Sequence, residues 1–227
     1  MLAVNAPFPI VKVLLAVAIV GQSRELAAMQ LSPAAAPVTV SQTDTPKAAL
    51  SGLARAIESG QAGEVRRLLA ADGEAELQLV AALADLAAAA AEFRQVLATR
   101  FSADQLGDIP PEATAVSVGQ AAIISATEQI NGDRAQLLLG GKTVHLLKTP
   151  EGWRVPVAQL FADGVEQSTF EATLRIMRPQ TEAIRKTAGE LKAGRYNTVQ
   201  EAGQMLRKHI LEGITPPTAP ASTKPAK

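Results

Sequence analysis

Few residues in this sequence have side chains suited to chemistry. There are two histidines, His145 and His209, and no cysteine. Without cysteine there can be no disulfide, thiolate nucleophile, zinc–thiolate site or iron–sulfur cluster. The histidines stand far apart, not at His-x-x-x-His or His-x-His spacing, so no metal centre is expected. No serine lies in a G-x-S-x-G context, and no carboxylate pair suggests glycoside chemistry. The stretch "LLLGGKT", Leu137 to Thr143, ends as a phosphate-binding loop ends. The full pattern needs a glycine where Gln136 stands, and a helix whose first amides hold the phosphate. Strand formers fill the space between Gly141 and Pro150 instead. Gly140-Gly141 therefore reads as a two-residue hairpin turn, where glycine supplies positive φ without strain. No cofactor motif remains.

The candidates left are side chains of a pocket. His145 lies on the strand face opposite Val144 and Leu146 and can point into a cavity; a strand histidine with one hydrogen bond is the plainer reading. Glu128 alternates with Ala126 and Ile130 and is placed inward. A buried carboxylate needs a partner such as Arg134 or Arg154, because an unpaired buried charge is costly. Trp153 begins a strand and is expected to plug the apolar interior. Tyr196, in "GRYNT", packs a corner between helices. His145, Glu128, Trp153, Arg154 and Tyr196 form the candidate pocket set. His209 reads as a surface residue near a helix C-terminus.

The elements that must position these residues follow from periodicity. "DTPKAALSGLARAIESG" opens a helix, with Thr45 as cap, Pro46 at the first position and Gly60 as stop. A short second helix ends near Gly73. Leu79, Leu83, Leu86, Ala90, Phe93, Leu97 and Phe101 then recur at steps of three and four, giving one long helix from about 74 to 101. Its run "LAAAAA", Leu86 to Ala91, leaves room for another backbone to approach. The expected packing partner is the protein's own sheet. "SADQLGDIPPEAT" is a loop. "AIISATEQI", Ala122 to Ile130, reads as extended, "NGD" as a hairpin turn, and "RAQLLL", "KTVHLLKT" and "WRVPVAQL" as three more strands. Turns this tight make an antiparallel four-stranded meander. Helical period returns after Leu160, with Pro179 expected to kink or split it. A last helix starts at Asn197 or Thr198, with Glu201 placed for a capping box.

The fold class is therefore α+β: a helical hairpin and a long helix packed on a meander over residues 46–160, then a helical extension over 161–212. Outside it, Lys12 and "VLLAVAIVG" fit a signal peptide over residues 1–28, too short to span a bilayer. Residues 29–45 read as a linker and 213–227 as a disordered tail. The mature protein is expected in the periplasm or outside the cell, without a membrane span.

The helix pair at 46–72, the long helix and "INGDRAQLLLGG…VHLLKTPEGWRVPV" together resemble the nuclear transport factor 2-like superfamily over residues 45–160. That resemblance implies a cone in which a sheet wraps a long helix. The superfamily holds both enzymes and binding modules, so it chooses no function. Basic and acidic residues balance at 22 each, which argues against a nucleic-acid partner. Residues 175–227 are nevertheless basic, with 10 cationic against 4 acidic side chains. With no catalytic set, the sequence favours an exported, non-enzymatic module binding a partner protein or small apolar ligand. The alternatives are an isomerase- or hydrolase-type enzyme around His145 and Glu128, and a structural or homodimerising envelope protein.

Overall fold

The computed structural model describes residues 44–106, 115–161 and 167–214. The expected signal peptide, most of the linker and nearly all of the tail lie outside these residues. Helix α1 spans Pro46–Ser59 and α2 spans Ala62–Leu68. The Thr45 hydroxyl accepts from the Ala48 amide at 3.1 Å, and Pro46 occupies the first turn, where its missing N–H is no loss. Gly60 ends α1 in the left-handed region at φ 69°. The chain then enters strand β1, Leu69–Ala70, instead of continuing as helix to Gly73.

Helix α3, Glu74–Arg100, carries the long apolar stripe; Leu79, Leu83, Leu86, Phe93 and Leu97 are all buried. Its alanine run does receive a backbone. A Cβ built on Gly60 would overlap the Cβ of Ala91 and lie 3.2 Å from the Ala87 carbonyl oxygen. The α1–α2 turn thus rests directly on α3. The Arg66 guanidinium bonds Asp85 at 2.8 Å across the same seam, and Arg94 donates to the Glu58 carbonyl at the end of α1.

After a single helical turn α4, Ala103–Leu106, helix α5 covers Ala115–Ser125. This corrects the extended reading of Ala122 to Ile130. The helix persists to Ser125, whose hydroxyl bonds the Ala121 carbonyl at 3.0 Å, and only then does the chain extend. Strands β2 (Thr127–Asn131), β3 (Arg134–Leu139), β4 (Lys142–Thr149) and β5 (Gly152–Pro156) form the expected meander. Gly140 and Gly141 take φ of 53° and 84° between the paired residues Leu139 and Lys142, so this is a hairpin turn and not a phosphate loop. The sheet has five strands, in the order β1-β5-β4-β3-β2, not four. β1 lies parallel to β5, with Leu69 opposite Val155, so the sheet is mixed.

A 3-10 turn, Val157–Leu160, leads toward helices α6 (Gln167–Lys192) and α7 (Val199–Ile214). α6 continues through Pro179 and is not split in two there. α7 is capped as its sequence predicts: the Thr198 hydroxyl accepts from the Glu201 amide at 3.1 Å, and the Glu201 carboxylate accepts from the Asn197 amide at 2.8 Å.

The layering differs from the expected one. α1 covers β5 and β3 on the inner face of the sheet, while α3 packs chiefly against α6, and α6 against α7. The long helix is therefore the centre of a helical layer, and its main partner is another helix. α6 docks on α3, and α7 docks on α6. The inner sheet face is filled: Leu137, Leu146 and Val155 are wholly buried, and Ala135 and Trp153 nearly so. These side chains join the apolar residues of α1, α3 and α6 in one continuous core.

Candidate functional site

The five candidate pocket residues fall in three places. Cross-strand partners share a face, so the register assigns each one. Glu128 pairs with Leu137 and lies on the inner face, half-buried, with one carboxylate oxygen shielded and without a hydrogen-bond partner. Its expected partners, Arg134 and Arg154, lie on the opposite face. Trp153 is buried on the inner side, with the Lys148 ammonium 5.9 Å from its ring centroid, a cation–π distance. His145 and Arg154 lie on the outer face, and Arg154 is held by Glu151. Tyr196 stands far off, at the α6–α7 corner.

His145 belongs to a groove of about 830 Å³ on the outer face of the sheet. The register lays out its side chains as a grid. One row crosses three strands as Gln129, Gln136 and His145. The next row toward the Gly132–Asp133 turn is Asn131, Arg134 and Leu147, and then Arg154. Neighbouring strands stand about 4.8 Å apart and successive rows roughly 7 Å apart.

Gln159 closes the β5 side for a local reason. The His145 amide points toward β5, where the next ladder position is Pro156, which has no N–H to return. The chain leaves the sheet there, and the Gln159 side-chain oxygen accepts from the His145 amide at 2.7 Å in place of a strand. Arg134 and the His145 ring make no hydrogen bond or ion pair with any described residue. No carboxylate lines the groove among the described residues. On the outer face, apolar contact comes from Leu147 and Pro156. The groove can hold an extended ligand with hydrogen-bonding groups and a negative end. Glu128 faces the other way, so it is not placed to exchange a proton with His145.

A second polar cluster was not anticipated. His209, read from sequence as a surface residue, is only 7% exposed, because it follows Leu206 by three and shares the buried face of α7. Thr187, on α6, gives its hydroxyl hydrogen to the Ala183 carbonyl at 2.8 Å. That leaves His209 Nδ1 as the donor to the Thr187 oxygen, 3.1 Å away. His209 Nε2 lies 3.7 Å from Glu190 Oε2, which also accepts from the Tyr196 hydroxyl. The Tyr196 bond, more than the nearby cationic groups, holds the Glu190 carboxyl below its ordinary range, while burial opposes the shift. Burial first, and then Glu190, push the Tyr196 phenol up to about 12. The groove does not reach this cluster. Its members tie α6, the connecting loop and α7 together, which is a structural task.

The sequence signals for the groove were weak: Gln129, Gln136 and Gln159 look like ordinary solvated residues until the register aligns them. A smaller cavity of about 320 Å³ lies between α3 and α6, beside the Lys192–Glu92 ion pair of 2.6 Å. Both of those charges already have partners. No helix among the described residues is long and apolar enough to cross a membrane. No family model, no curated protein and no solved structure matches the chain.

Proposed function

We propose that the protein is an exported, non-enzymatic binding module whose ligand lies across the outer face of the sheet. One observation carries this reading. The inner sheet face is packed with Leu137, Leu146, Trp153 and Val155, while the outer face keeps a groove of ligand size with unengaged polar side chains. A purely apolar ligand would strip water from the carboxamides and Arg134 without replacing those hydrogen bonds, at a cost. The reading therefore favours a ligand with both apolar and hydrogen-bonding groups. Export rests on the apolar run after Lys12.

The test is a screen of a few hundred small soluble fragments, read by amide chemical shifts of the full chain. Shifts clustered at Gln129, Gln136, His145 and Gln159, weakened by His145→Ala, support the reading. Shifts confined to α3 and α6, or none anywhere, would remove it.

A further inference from the structure

We infer that the groove takes the end of a peptide chain and that Arg134 binds its terminal carboxylate. This rests on the groove being the binding site. The charge pattern leads to it. Arg134 is the groove's full cation and has no partner among the described residues, whereas the neighbouring Arg154 is anchored by Glu151. A planar guanidinium with five donors in a fork matches a carboxylate two bonds at a time.

Position supplies the second argument. Arg134 stands in the last row of β2 and β3, which are joined by the Gly132–Asp133 turn, and on β4 and β5 only the Thr149–Gly152 pair lies farther out on that face. A ligand lying from the Gln136 row toward Arg134 reaches the rim of the sheet there. Asp133, in that turn, repels a second negative charge beyond the first. One carboxylate at a chain end fits; a run of acidic side chains does not.

The rest of the groove suits a peptide. The carboxamides of Gln129, Gln136 and Asn131 each offer both a donor and an acceptor, as peptide groups do. Leu147 is 37% exposed, enough to hold the apolar side chain of a last residue.

The experiment uses the full chain and three acetyl-capped tripeptides: Ala-Ala-Leu with a free carboxylate, the same peptide amidated, and Ala-Asp-Leu amidated. Binding is measured by calorimetry and mapped by amide shifts. The free acid should bind at least about tenfold more tightly than its amide, a difference of roughly 1.4 kcal/mol. Arg134→Gln should abolish that preference, and Arg134→Lys should keep part of it. Arg134 is exposed, so both variants should fold. Equal binding of acid and amide in the groove overturns the carboxylate assignment and leaves the groove reading standing. Equal binding by the internal aspartate peptide overturns the chain-end assignment. If no peptide shifts groove resonances, the inference falls, while the fragment screen decides separately whether the groove binds anything.

Discussion

Gly60→Ala tests the packing that sets the helical layer against the α1–α2 hairpin. Two costs add at this position. Gly60 sits at φ 69°, where a side chain clashes with its own backbone for about 1–2 kcal/mol. The new methyl would also overlap Ala91 Cβ and crowd the Ala87 carbonyl oxygen at 3.2 Å. Both neighbours belong to the interior of α3 and cannot swing away, so overpacking adds about 1–3 kcal/mol. The expected loss is about 2–5 kcal/mol, read from urea unfolding followed by helical circular dichroism. Ala91→Gly alone should cost about 1 kcal/mol through helix propensity. In the double variant the overlapped methyl is gone, so the loss should fall short of the sum by about 1–2 kcal/mol. A Gly60→Ala protein within about 0.5 kcal/mol of the parent would refute the close approach, and strict additivity would refute the contact with Ala91.

Tyr196→Phe removes a hydrogen bond to the Glu190 carboxylate and should cost about 1–3 kcal/mol in the same unfolding assay, because the site is only 7% exposed. The linkage has two arms. The Glu190 carboxyl is depressed in the fold, so its stabilisation is full above the unfolded value near 4.5 and is lost as pH falls below it. The Tyr196 phenol is raised to about 12, so its contribution is full below 10 and is lost as pH rises toward 12; Tyr196→Phe should flatten that alkaline loss in a pH series of unfolding curves. Glu128→Met replaces a shielded, unpartnered carboxylate oxygen with a flexible apolar chain and should raise stability by about 1 kcal/mol, whereas a loss of that size would mean that Glu128 has a favourable partner.

Much of the local structure is legible in the sequence. The Thr45 cap, the Gly60 stop, the Thr198–Glu201 cap and the Gly140–Gly141 turn depend on near neighbours in the chain, and each formed as its residues required. Non-local features were hidden. β1 is two residues long and becomes a strand only by lying beside Val155, so no periodicity could reveal it. Ile123 and Ile124 look like strand residues, yet they end a helix that buries one and exposes the other. The stripe of α3 announced a buried face without saying what buries it, and α6 took the place expected of the sheet. The groove was least visible. Its side chains are exposed and polar, as on any solvated strand face, and only cross-strand register brings Gln136 beside His145.

The most direct test of a binding role for the outer sheet face exploits the absence of cysteine. Gln136→Cys places a single thiol in the groove for an environment-sensitive fluorophore, and Gln200→Cys places the same label on the exposed side of α7. Both labelled proteins would be titrated with the fragments that shift amides most and with the free-acid tripeptide. The account predicts a saturable change from the label at 136 and none from the label at 200. A response only at 200, or an equal unsaturating drift at both positions, would contradict it.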